Sequence, residues 1–444
     1  MRRDRYLYLK GKSRSRRLIN RFMLGADFSL DEAAQSAASA ANYRNFCVDR
    51  GVLTDGWGIE PHPSFSGKSG IISAWTHFGK YMYCDTDGTV HLLDGGTDTV
   101  VSGMTFTAPP IAIDYNLYGE DVTLVCSSKD GMAVYDGSVL KPVEPSPKIT
   151  AMALHYERLF VTTSNESDCV RFSDDLDPTN WAEGLDSGGF IRLADGYGRS
   201  NKVISFLNYV YIFRDYGISR MIAYADQSDF SVTNLYVSSG RIYPDSVTVC
   251  GDRVIFLASD GLYAFDGLDT TRILTKYGDL TPYKDSALGR YFDGKFYLAY
   301  SQSGAANDSL LVYDTAKKTA ELSVGVRIDG FVGGDSLAAL SGGSVVSVTR
   351  CGAVMGVPTT KLWRVPFNSG DSPDRLKRLE KIYVETATPL TIKVLCDGET
   401  REFRLLGADG VQYVKVGMRG RKIGLELITD SVGTRIAELG YIVY

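Results

Sequence analysis

Histidine is scarce in this chain of 444 residues: there are four, His62, His77, His91 and His155. A Ser-His-Asp triad or a His-based metal centre has little to draw on, so any catalysis would rest on carboxylates. The seven cysteines, at 47, 84, 126, 169, 250, 351 and 396, are odd in number, scattered, and never in a C-x-x-C pair. That pattern argues against a disulfide framework or a zinc site and leaves them as small buried hydrophobes. No apolar run approaches the roughly 20 residues that span a bilayer. The opening "MRRDRYLYLKGKSRSRR" lacks the apolar core of a secretory signal. The expectation is a protein made in the cytosol, with no membrane anchor. "GADFSLDEAAQ" and "GADGVQ" carry no lysine at phosphate-cradling spacing, so no nucleotide or other cofactor is expected.

What is present points to strands. With 46 Gly, 27 Tyr and 19 Phe, and few long Ala/Leu/Glu runs, tight turns and pleated surfaces are favoured over helices. The fold class read from this is all-β. The net charge of −5 hides an asymmetry: residues 1 to 21 carry nine Lys/Arg against Asp4, a local +8, so the remainder carries −13. A basic arm on an acidic body makes Arg2, Arg3, Arg5, Arg14, Arg16 and Arg17 candidates for gripping a neighbouring subunit or nucleic acid. "MRGRK", with Arg419, Arg421 and Lys422, is a basic turn of the same kind.

An internal period decides the architecture. "YMYCDTDGTVHLLDG", "TLVCSSKDGMAVYDG" and "VIFLASDGLYAFDG" each run strand, Asp-Gly turn, strand, closing Asp-Gly. Looser copies begin near 158, 209, 295 and 337, giving a spacing of about 42 residues, the length of one four-stranded propeller blade. A six- or seven-bladed β-propeller over 61–358 follows. Before it, residues 1–60 hold the arm and a short helix, 29–41, whose Ser29 and Glu32 have capping-box spacing. After it, 359–444 reads as a C-terminal antiparallel β-sandwich.

"RFSDDLDPTNWAEG" (171–184) gathers Asp174, Asp175 and Asp177. Asp174 and Asp175 close the third hairpin where Asp94, Asp136 and Asp266 close others, which is turn chemistry. As an EF-hand counted from Asp175, the sixth position is Asn180 and the twelfth Asp186, so the pattern is half met. A carboxylate-based glycosidase would draw on Asp175, Asp177, Asp186 and Asp195. A glycan-binding module would stack sugars on Trp57, Trp75, Trp181 or Trp363. No residue of the sequence is expected to be catalytic, to bind a cofactor or to ligate a metal.

The stretch "VRFSDDLDPTNWAEG", continued by "GGFIRLADGYGRSNKVISFLNYVYIFRDYGISRM", resembles the mid-propeller signature of tailed-bacteriophage virion proteins. The opening "RFMLGADFSLDEAAQSAASAANYRNFCVDRGVLTDGWGI" and the ending from "RLKRLEKIYVETATPLTIKVLCDG" to "IAELGYIVY" are similar to that family's start and to its terminal sandwich. In length and layout the nearest match is the tail-hub or nozzle (stabilisation) proteins of short-tailed phages. The resemblance implies a non-enzymatic virion protein assembled in the host cytoplasm. It implies a ring of about six copies below the portal and adaptor that conducts phage DNA without sequence specificity and helps retain it. The alternative is a glycan-binding receptor protein or glycosidase of the tail.

Overall fold

The computed structural model describes residues 15–19, 22, 35, 39–184, 187–224, 226–277, 286–302, 304, 306–368 and 376–444. Among them helix is confined to four single 3-10 turns, and strands carry the architecture. The chain divides into two units, one holding 58–349 and 354–356, the other 1–57, 350–353 and 357–444.

In the first unit, four-stranded antiparallel stretches follow one another along the chain. They span 71–103, 111–143, 149–192, 200–237, 248–273 and 288–324. A seventh takes three strands from 330–349 and its fourth from Gly58–Pro61, with Val348 opposite Ile59, and its sheet continues past Gly58–Pro61 through a parallel pair, Val354 opposite Ile59. The first two are joined into one eight-stranded sheet by a short parallel pair, Val139 opposite Ser102. Each recurrence seen in the sequence is the second and third strand of one stretch. Lys80–Asp85, Glu120–Ser127, Arg158–Thr163, Tyr209–Arg214, Arg253–Ala258, Lys295–Tyr300 and Ala338–Ser341 are those second strands.

These second strands are buried on both faces rather than alternately. Arg158–Thr163 is buried throughout, and so is Tyr209–Arg214 after its first residue. Each sheet is covered by its neighbours on both sides, which removes the alternation expected of a half-exposed strand. Phe213, Phe256 and Phe265 from the fourth and fifth sheets share one core. Tyr83, Val332 and Leu340, from the first and seventh, share another. First strands lie against the first strand of the next sheet in several pairs, and Gly330–Val332 lies against Ile71–His77.

The second unit has two sheets. One is ordered Phe46–Asp49, Val52–Asp55, Arg435–Val443, Lys377–Thr386, Val411–Gly420, with Ser15–Ile19 also paired to Arg435–Val443. The other is ordered Asn42–Arg44, Lys361–Asn368, Ile423–Thr429, Leu390–Cys396, Glu399–Leu405. Here alternation survives: Leu390, Ile392, Val394 and Cys396 are buried and the residues between them are not. Trp363 is fully buried, with Phe22 and Tyr43 edge-on at 5.3 and 5.5 Å.

The pairing of 42–55 with strands beyond 360 differs from the boundaries drawn on the sequence, which set residues 1–60 apart. A strand carries no local mark of a partner 300 residues away. Most of the proposed helix, 29–41, lies outside the described residues. A buried ion pair fastens the long-range seam. Lys361 Nζ is 3.2 Å from Asp55 Oδ1 and donates to Ser431 O at 2.6 Å. The same Asp55 carboxylate accepts the Gly433 and Thr434 N–H groups at 2.6 and 3.2 Å.

Candidate functional site

In a four-stranded meander, the turn between strands one and two and the turn between three and four leave from the same end of the sheet. The closing aspartates of the repeat occupy the second of these turns. Asp136 accepts the Ser138 and Val139 N–H groups at 2.9 and 3.0 Å, and Asp266 those of Leu268 and Asp269 at 3.0 and 2.9 Å. The 171–184 stretch is an enlarged copy. Asp174 accepts the Asp175 N–H at 2.9 Å and the Asn180 amide at 2.8 Å. Asp177 accepts the Thr179 N–H at 2.9 Å and the Tyr118 hydroxyl at 3.3 Å. Arg158, buried beneath, donates to Ser173 O and Ser187 O at 2.9 and 3.0 Å.

Asp186 lies outside the described residues. Asp195 is paired with the fully buried Arg214 and accepts from the Tyr197 N–H and Asn234. Burial pushes its carboxyl up, but these bonds outweigh that and hold it below the ordinary carboxylate range. A glycosidase acid needs the opposite shift. The tryptophans are likewise withdrawn: Trp57, Trp75, Trp181 and Trp363 are 8, 6, 9 and 0% exposed, so none offers a face to a sugar. Their rings fill cores, the commoner use of so large an apolar surface.

The first turns hold what the sequence reading missed. In six sheets this turn is two residues long, a geometry that calls for left-handed backbone and normally for Asn-Gly or Asp-Gly. The sixth sheet obeys, with Asp293 and Gly294 at φ +46° and +71°. The first four instead place Phe78, Tyr118, Tyr156 and Leu207 in the left-handed region, at φ +43°, +52°, +48° and +45°. Those side chains are 45, 78, 51 and 54% exposed. Three of these turns meet the next sheet's outer turn: Tyr118 reaches Asp177, Tyr156 packs edge-on against Tyr224 at 5.3 Å, and Leu207 lies beside Gly267.

Between the first three sheets this leaves an open groove of about 320 Å³, lined by Phe78, Asp114, Asn116, Tyr156, Glu157 and Leu176 among others, with no Lys or Arg in its lining. Asp114 is fixed by the Phe78 N–H at 3.1 Å and by Thr123 Oγ1 at 2.6 Å, and that hydroxyl is 2.8 Å from His77 Nδ1. Burial first, then Asp177, Tyr118 and Glu157, push the Tyr115 phenol up. The signal for it was in the sequence: an aromatic at the turn in "HFGK" and "LYGE", where Asn or Asp is the ordinary choice.

The basic candidates fall in the other unit. Arg2, Arg3, Arg5 and Arg14 lie outside the described residues. Arg16 and Arg17 sit on Ser15–Ile19, opposite Ile442 and Tyr441. Register places Ser15 opposite Val443, Val443 opposite Leu379, and Leu379 opposite Met418. Arg419, paired with Arg378, therefore lies one row beyond Ser15, at the sheet end where the basic arm enters. Arg378 joins the set that sequence spacing did not suggest. Arg421 and Lys422 follow in the turn, where Asp397 accepts their N–H groups at 2.6 and 2.8 Å.

Among the described residues no group of three or more His, Cys, Asp or Glu side chains is placed to hold a metal ion, and no helix is long and apolar enough to cross a membrane. No family model and no curated protein matches the chain. Among solved structures, the computationally designed protein Ika8 is similar at 12% identity, over 66% of this chain and 98% of its own, with a TM-score of 0.41, a likeness that carries no argument about function.

Proposed function

We propose that this chain is a structural, non-enzymatic protein of a bacteriophage tail: a hub or nozzle subunit that forms a ring of about six copies below the portal and adaptor, conducts DNA and helps retain it. The identification rests on the sequence resemblance. The observation that carries the structural half of the reading is the completion of the seventh four-stranded stretch by Gly58–Pro61, from the start of the same unit. On this reading the unit is a seven-bladed β-propeller whose last blade is completed by the unit's own first strand, which leaves only short, protected sheet edges. The other unit is a β-sandwich.

Aspartates committed to turns suit a scaffold rather than a catalyst. The −13 carried outside the basic arm suits a DNA conduit, because every Lys/Arg–phosphate contact would strengthen binding and slow passage. Negative-stain electron microscopy of the purified protein at micromolar concentration tests the proposal. Closed rings of uniform order are expected, and a monomer at every concentration and salt condition would overturn it.

A further inference from the structure

We propose that the groove between the first three sheets of the repeat unit is the receptor for the Arg-rich N-terminal segment, residues 1–14, of a second copy of this chain. The inference rests on the assembly reading above and names the contact by which one subunit takes hold of the next.

The groove's chemistry selects the occupant. Phe78 and Tyr156 in its lining, and Tyr118 on the turn that follows the lining residue Asn116, present exposed aromatic faces on left-handed backbone, a conformation that costs a non-glycine residue about 1–2 kcal/mol. The sixth sheet makes the same turn with Asp-Gly, a composition that bears the left-handed backbone at lower cost. Beside the rings stand Asp114 and Glu157, with Asp177 bonded to Tyr118, and no cation lines the groove. Aromatic faces bordered by carboxylates, free of basic side chains, are a guanidinium site: the ring attracts the cation and the carboxylate takes its fork of N–H donors.

The segment's chemistry is the complement. Residues 1–14 hold Arg2, Arg3, Arg5, Lys10, Lys12 and Arg14 against Asp4, with Tyr6 and Tyr8 between. The chain leaves it at Ser15, paired to Val443 at a sheet end that already carries Arg378 and Arg419. Fourteen residues reach about 45 Å when extended, the span within which the arm can seek its partner. A contact running from a basic arm on one copy to an acidic groove on the next is heterologous, the kind that closes into rings.

The test uses the full chain and its variant Phe78→Asn/Tyr118→Asn. Asparagine followed by Gly79 or Gly119 is the preferred composition for this turn, so the variant is expected to melt at or above the wild-type temperature while losing both rings. A fluorescent peptide of residues 1–14 should bind the wild type in a salt-sensitive way and the variant at least about tenfold more weakly. Mass photometry should show the variant's rings dissociating at higher protein concentration, and excess peptide dissolving wild-type rings. Rings that form equally in the variant and ignore the peptide overturn the groove assignment and leave the tail reading standing. A wild type that never forms rings overturns the tail reading, whereas peptide binding lost in the variant would still support the groove. Displacement of the peptide by a neutral oligosaccharide would overturn the arm as occupant.

Discussion

The two units hold themselves together in opposite ways. In the repeat unit six stretches are built from consecutive strands, and only the seventh recruits a strand from far away, Gly58–Pro61. Its stability is spread over many similar interfaces between neighbours, so no single side chain commands the whole. In the other unit both sheets combine strands from 42–55 with strands from 361–443. Closing such long loops is an entropic cost with no local reward, and a few specific fastenings offset it. Repetition distributes risk, and long-range pairing concentrates it at residues such as Asp55 and Lys361.

The largest effect expected from that contrast is at Lys361. Lys361→Met keeps the length and apolar stem but leaves Asp55 a buried charge without its cation, a loss of about 3–5 kcal/mol by the usual consequence of removing one partner of a buried pair. Hydrogen exchange read by mass spectrometry should show protection falling in 42–55 and 423–443 while 158–163 and 209–214 stay protected. Uniform loss across both units would break the distinction.

The same contrast explains what was legible in the sequence. The seven hairpins were readable because paired apolar strands recur every 42 residues or so, three of them punctuated by Asp-Gly, and a period is a local signal. Gly58–Pro61 as the fourth strand of the seventh sheet was not, because the four residues "GIEP" look the same whatever they pair with. The partners of Asn42–Arg44 and Val52–Asp55 were hidden for the same reason. Of the candidate site, Asp174 and Asp177 are turn acceptors as their patterns suggest, since Asp-x-x and Asp-Pro state their bonding partners within a few residues, whereas Asp175, among the described residues, has only Arg158 nearby at 3.9 Å. The groove was missed: its walls are Phe78, Asp114, Tyr156 and Leu176, residues from three repeats whose proximity exists only after the sheets stack.

A smaller effect is expected from pH, and it falls on the repeat unit. Burial holds His62, His77 and His155 below the ordinary histidine value. The unfolded chain therefore takes up protons near pH 6.5 while the folded unit does not, and stability falls as the pH drops through that point. Asp85, Asp98, Asp130, Asp195 and Asp215 follow. Burial pushes each up, but hydrogen bonds win and leave them lowered. Their contribution is complete above the ordinary carboxylate value of about 4 and is lost as the pH falls through their folded values. Melting temperatures measured from pH 7.5 to 3 should decline in two stages, and His155→Leu should flatten part of the first. A melting temperature that rises between pH 7 and 5.5 would contradict the histidine half.

The smallest effect has the opposite sign and sharpens the contrast at a single turn. The 390–405 hairpin of the long-range unit turns on Asp397 and Gly398, at φ +46° and +93°, the composition the geometry prefers. The fourth sheet of the repeat unit makes the same kind of turn with Leu207 and Asn208, at φ +45° and +62°. Leucine has no side-chain bond to offer there, and its Cβ crowds the left-handed backbone. Leu207→Asn should therefore stabilise the protein by about 0.5–1 kcal/mol, part of the left-handed penalty, the remainder being offset by the lost contact with Gly267. Because Leu207 lies on the fourth sheet, outside the three sheets that form the groove, this variant should assemble and bind the 1–14 peptide as the wild type does. Thermal melts beside mass photometry would separate the two consequences: strain relieved at Leu207 without loss of assembly, against strain relieved at Phe78 and Tyr118 with it. If Leu207→Asn lowered the melting temperature instead, packing against the fifth sheet would outweigh backbone strain, and the exposed aromatics of the first three turns would lose their standing as a cost the fold bears for binding.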